Sequence, residues 1–103
     1  MHNDNKIEKM IQEKELNAPR ITPDNVNDSV VSDQYYVFPG TQTTICLLTL
    51  TNGFTVTGES ACASPKNFDE EVGRTIALEN AKDKIWVLLG FALKEKLYLE
   101  GLK

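Results

Sequence analysis

Thr43–Ala61 reads TTICLLTLTNGFTVTGESA, two β-rich runs on either side of Thr51-Asn52-Gly53. Such a stretch is a β-hairpin, and the length of its loop decides which residues share a face. A two-residue Asn52-Gly53 turn puts Phe54 and Val56 with Thr49 and Thr51, opposite Cys46, Leu48 and Leu50. A three-residue loop instead pairs Leu50 with Phe54, Leu48 with Val56 and Cys46 with Gly58, gathering the apolar set on one face. Gly53 then supplies the left-handed residue of a type I turn plus bulge. The sequence favours this second register. Its other face sets Ile45 across from Glu59 and Leu47 across from Thr57, a mixed surface open to partial cover. Cys46 and Cys62 fall on one face, too far apart along the ladder to bond.

Downstream, ASPKN leads into FDEEVGRTIALENAKDKIWVLLGFALKEKL. Asn67 with Glu70 three residues on predicts a helix start, and Asp69, Glu70 and Glu71 put negative charge at the positive end of its dipole. Phe68, Val72, Ile76, Ile85, Leu88 and Leu89 trace one face. Gly73, Ala77 and Ala81 form a small-residue stripe that admits another backbone. The run is one helix of about thirty residues, or two segments jointed near 80–83 or at Gly90. Between Ile85 and Leu93 only Gly90 is not apolar, the pattern of a helix covered on more than one side. This predicts a homo-oligomer with Trp86, Leu89, Phe91 and Leu93 at a subunit contact, since aromatic anchors dominate interface cores. The alternative is cover by the N-terminal helices of the same chain.

Upstream, Ile7, Met10 and Ile11 recur at helical spacing and predict a short amphipathic helix over 4–16, which needs a docking surface to be stable. Asn17 to Arg20 break the pattern. Thr22 before Pro23 suits an N-cap with proline at the first helical position, predicting a second helix over about 23–32 with Val26 and Val30 inward. Tyr35, Tyr36, Val37 and Phe38 then read as a short strand stopped by Pro39-Gly40. The fold class is α+β: short N-terminal helices, and a β-hairpin or small antiparallel sheet packed on a long C-terminal helix. Residues 1–103 make one domain, with 1–20 as N-terminal helix and linker and 35–103 as the core.

Apolar residues make up 41 % and charged residues 25 % of the 103, an ordinary globular balance. Eleven basic against fifteen acidic residues give a net charge of -4, which disfavours general nucleic-acid binding and leaves proteins or a small ligand as partners. MHNDNKIEKMIQEKEL has no continuous apolar run, so it reads as neither secretory signal nor membrane span, and the expected location is the cytoplasm. Two cysteines are too few and wrongly spaced for zinc, and a reducing compartment keeps them as thiols. No metal or cofactor is expected.

The string NGF-x-VTGESACASP-x-NFD followed by GR-x-IA-x-x-NA-x-x-KIW, with LNAPRITPDNV upstream, resembles the phage protein family named after gene 49 of one podovirus and gene 66 of another. The resemblance covers nearly the whole chain. It implies a small cytoplasmic protein of tailed phages or prophages, without an established molecular activity to carry over residue by residue. Proteins of that genetic setting often alter host processes or block host defence, an analogy of company rather than of residues. One departure is Val87-Leu88-Leu89, where the family commonly has a proline and an acidic residue before the glycine.

For chemistry, the chain offers Glu59, Ser60 and Cys62 beside the start of the long helix. The single histidine is His2, remote from Ser60 and Cys62 in sequence, so a Ser-His or Cys-His nucleophile is disfavoured and no catalytic residue is assigned. Glu59 reads first as a solvated residue or a partner for Lys66 or Arg74, and Cys62 as an inert thiol. Arg74 has Glu70 and Glu71 as neighbours on the helix surface. The Tyr35-Tyr36 pair is sheet filler or a stacking platform. These give three functional readings. The first is a non-enzymatic binding protein acting on a host or phage protein in host takeover or counter-defence. The second is an oligomeric binder of a small anionic ligand such as a nucleotide signal, using Tyr35, Tyr36, Glu59, Ser60 and Arg74. The last is a small enzyme using Glu59 or Cys62.

Overall fold

The computed structural model describes residues 4–15 and 18–101. His2, Leu16 and Asn17 lie outside the described residues. The elements run α1 (Asp4–Glu13), α2 (Pro23–Asp28), β1 (Val30–Val37), β2 (Thr43–Leu50), β3 (Thr55–Ala61), a 3-10 turn (Pro65–Asn67) and α3 (Glu70–Leu99). The strands form one antiparallel sheet in the order β1-β2-β3, an α+β fold with α3 laid across one face.

The hairpin has the three-residue loop. Leu48 pairs with Val56, Cys46 with Gly58 and Ile45 with Glu59. Leu50 N–H donates to Phe54 O at 2.8 Å, and Gly53 sits at φ 89°, the left-handed conformation that glycine adopts without penalty. Alternation along β2 buries Thr44, Cys46, Leu48 and Leu50 under α3, while Thr43, Ile45, Leu47 and Thr49 stay half-buried on the outer face.

β1 corrects the second helix. Thr22 caps α2 as expected, accepting from Asn25 N–H while the Asn25 side chain accepts from Thr22 N–H, but α2 ends at Asp28. Val30, Val31 and Ser32 are strand, because β-branched residues at Val30-Val31 gain a partner strand that a continued helix would forgo. Val26 is buried as expected, and Val30 packs against the core from β1 rather than from the helix. The α3 start is also displaced. Ser64 and Pro65 open the 3-10 turn, and Asp69, not Asn67, caps α3 by accepting from Val72 N–H at 2.9 Å.

α3 is a single helix, and its buried face is the small-residue stripe Gly73, Ala77, Ala81 and Ile85. Val72, Ile76 and Leu88, expected on the inner face, are exposed at 54 %, 37 % and 38 %. The reason is steric. A Cβ on Gly58 would lie 2.8 Å from Ala81 Cα and closer still to Ala81 N and Ala77 O, so β3 and α3 touch backbone to backbone. Only a stripe of glycine and alanine fits there. At the helix start, Gly73 leaves room for the buried Thr44, whose Oγ1 would lie 2.9 Å from a Cβ at that position. Ser60 Oγ donates to Gly73 O at 2.8 Å and ties the same strand to the same turn.

Thirty helical residues span about 45 Å, while the eight-residue strand β2 spans about 26 Å, so α3 outruns its sheet. The radius of gyration, 16.4 Å, records this overhang against roughly 13 Å for a compact chain of similar length. Gly90 lies in the overhanging part, with nothing within 4 Å of the place its Cβ would take. The two glycines therefore predict opposite outcomes in equilibrium denaturation. Gly58→Ala should cost about 3 kcal/mol or more through backbone overlap. Gly90→Ala should gain about 0.5–1 kcal/mol from helix propensity.

Candidate functional site

The residues expected to form a ligand site divide between surfaces. Neighbours in a strand point to opposite faces, so Tyr35 stands across from buried Cys46 on the α3 side while Tyr36 stands with Ile45 on the outer side. The same alternation sends Ser60 inward, where its hydroxyl is engaged with Gly73, and Glu59 outward in the row of Ile45 and Tyr36. Tyr36 meets Phe38 edge to face, with ring centroids 4.8 Å apart. Arg74 is exposed on α3, and among the described residues no ion pair joins it to Glu70 or Glu71. Arg20 forms a salt bridge to Glu8 at 2.8 Å, holding α1 to the segment before α2. Both cysteines are free; Cys62 is half-buried with its thiol donating to Ser64 O at 3.2 Å.

Tyr35 instead belongs to a different set. Its hydroxyl donates to Asp33 Oδ2 at 2.9 Å, and the two stand on β1 beside a cleft of about 340 Å³ lined by Asn27, Val30, Ser32, Asp33, Leu48 and Lys82. Leu48 and Val30 give it an apolar floor, and α2, β1 and α3 form its walls. Burial pushes the Tyr35 hydroxyl well above its usual 10.0, and acceptance by Asp33 pushes it further. Burial likewise raises the Cys46 thiol, with the Asp33 charge adding to the rise and Tyr35 and Lys82 partly offsetting it. A carboxylate, a phenol and an ammonium thus meet over apolar ground. No local pattern announces this, since Asp33 and Lys82 come to one cleft only through the packing of α3 on the sheet. Among the described residues, no group of three His, Cys, Asp or Glu side chains is placed to hold a metal ion.

The second surface is apolar. A groove of about 430 Å³ runs between the free side of β3 and α3, lined by Phe54, Thr55, Val56, Lys84, Val87 and Leu88. Of the four residues expected at a subunit contact, Trp86 and Leu89 pack against the core and Leu93 is half-buried, whereas Phe91 is 69 % exposed. Phe91 and Leu89 point about 200° apart around a helix of 3.6 residues per turn, so they cannot share one flat contact. The side turned to the core carries Trp86 and Leu89; the open side carries Val87, Phe91 and Tyr98, each more than 60 % exposed. Phe54, expected beside Leu50 on the apolar face, is 55 % exposed at the loop end of the edge strand; Val87 and Tyr98 escaped the sequence reading because the apolarity of α3 on all sides hides which side is covered.

The raised Tyr35 and Cys46 groups have a consequence for stability. Both hold their protons in the folded state at a pH where the unfolded chain has released them, so the native state binds more protons and stability falls as pH rises. Thermal unfolding should show a constant melting temperature up to about pH 8, then a decline as pH passes 9.0, the usual thiol value, and 10.0, that of the phenol. Tyr35→Phe combined with Cys46→Ala should flatten that decline.

Residues 21–97 match the model of a phage protein family described as N4 Gp49/phage Sf6 gene 66. Comparison with curated proteins and with solved structures gives no match. No described helix is long and apolar enough to cross a membrane.

Proposed function

As the chain belongs to the phage protein (N4 Gp49/phage Sf6 gene 66) family, we propose that it is a non-enzymatic accessory protein working in the host cytoplasm by binding another protein, of host or phage. The observation that carries this is the open side of the α3 overhang. Val87, Phe91, Tyr98 and Leu99 are exposed at 71 %, 69 %, 62 % and 75 %. Exposed apolar residues gathered along one stretch of a helix mark interaction sites, and aromatic anchors supply most of the binding energy at such contacts. Capture from phage-infected host lysate tests it. The wild-type chain should retain a protein that the double substitution Tyr98→Asp, Leu99→Asp loses while its circular dichroism stays unchanged. If nothing retained depends on that end of α3, the reading falls.

A small-ligand reading is favoured by the cleft of Asp33, Tyr35 and Lys82. Lys82 is half-buried over the apolar floor and suits a ligand carboxylate or phosphate, with the Asn27 amide able to donate beside it. In a thermal-shift screen against nucleotides, a ligand at 100 times its dissociation constant should add about 2.7 kcal/mol, roughly 10 °C for a domain of this size. Lys82→Ala should abolish that shift.

A further inference from the structure

β3 ends the sheet, and its hydrogen-bonding pattern is set by two contacts: Leu50 N–H donates to Phe54 O, and Cys62 N–H to Gln42 O. In an antiparallel ladder each residue directs both backbone groups either to its partner or away from it. Phe54, Val56, Gly58 and Ser60 therefore serve β2, while Thr55, Thr57, Glu59 and Ala61 direct their N–H and C=O outward. Asn80 Nδ2 donates to Glu59 O at 2.8 Å and closes that position from α3. The outward groups of Thr55 and Thr57 form no hydrogen bond among the described residues.

Edge strands are usually blunted by charge, proline or a bulge. β1 follows that rule: its register shifts between Val30 and Ser32, it carries Asp33, and α2 packs against it. β3 is different. Thr55-Val56-Thr57 is neutral, β-branched and in regular register, and the apolar groove of Phe54, Lys84, Val87 and Leu88 runs directly along it.

We propose that two copies of this chain pair through their β3 edges, Thr55 of each facing Thr57 of the other, to make a continuous six-stranded sheet. This rests on the protein-binding reading and names one occupant of the surface, the second copy. The patch is self-complementary, as a two-fold contact requires. α3 packs on both β3 and β2, so its axis is set back from the edge, and strands paired about 4.8 Å apart bring the two helices to roughly the 8–10 Å of packed helices. Val87 and Phe91 then lie against the earlier turns of the antiparallel α3 of the second copy. The exposed parts of Phe54, Val87, Leu88 and Phe91 amount to about 400 Å² when an aromatic residue carries 150–250 Å². The Thr55–Thr57 edge and the Lys84 stem add to this, toward the roughly 800 Å² per partner of a standard interface. A lone peptide strand would satisfy the edge and leave Val87 and Phe91 wet.

Light scattering at micromolar concentration, joined to hydrogen exchange, tests this. The wild-type chain should run at twice its 11.5 kDa, or at an even multiple of it, with the Thr55 and Thr57 amides protected at least 100-fold. Val87→Glu, on an exposed helix position, and Thr57→Pro, at an outward N–H, should each halve the mass and Val87→Glu should release the Thr55 and Thr57 amides. A monomeric wild type overturns the proposal, as does an assembly whose mass survives both substitutions. A monomer that still captures a protein through Tyr98 and Leu99 removes the strand pairing and leaves the protein-binding reading in place.

Discussion

At one crossing two backbones touch, β3 at Gly58 and α3 at Ala77 and Ala81. Every larger feature follows from that contact. Helix and sheet this close exclude bulky side chains between them at the crossing, so the core at that point is filled by main chain and methyl groups rather than by leucine. The large apolar residues of the hairpin, Leu48 and Leu50, lie further along the sheet, and Ile85 meets them where α3 can accept a larger side chain. The remaining bulk of α3 is displaced to its sides. Trp86 and Leu89 pack against the core, while Val87 and Leu88 line the free side of β3 and Phe91 stands outward.

This displacement accounts for what could be read from sequence and what could not. The hairpin register was legible because a one-residue slip exchanges Val56 with Thr57 beneath the helix, a choice that alternation alone settles. The small-residue stripe was legible as a place of close approach. That this stripe is buried while Val72 and Ile76 stay exposed is not legible, for hydrophobicity measures what burial would gain and says nothing of how much room exists. The α3 cap moved from Asn67 to Asp69 because Pro65 fixes a 3-10 turn first, and both residues have capping side chains. β1 was shortened for a similar reason: Thr22-Pro23 is a strong start signal, and no glycine or proline marks where α2 stops.

The candidate site was less legible than the fold. Tyr35-Tyr36 and Glu59-Ser60 are adjacent pairs in strands, and adjacency in a strand is opposition in space. Residues that cluster on paper are thereby divided between the covered face and the open one. Tyr35 did belong to a polar group, but its companions came from a position two residues earlier on its own strand and from the middle of α3. The cleft at Asp33 and Lys82 and the groove at Phe54 and Val87 are both products of tertiary packing. No period of 2 or 3.6 announces them.

The overhang of α3 is more than leftover length. An isolated helix of the size of the stretch beyond Ile85 is marginal in water because its first turn is costly to form. Here the nucleus is supplied by Gly73 through Ile85, locked on the sheet, and the rest extends an existing helix. Val87, Phe91 and Tyr98 are consequently held at fixed spacing on one side before any partner arrives. Any partner that landed on them would be spared the cost of ordering them. The same backbone contact that holds helix to strand thus sets both the stability of the core and the readiness of the surface, since loosening Gly58 against Ala77 and Ala81 would unseat the helix that carries them.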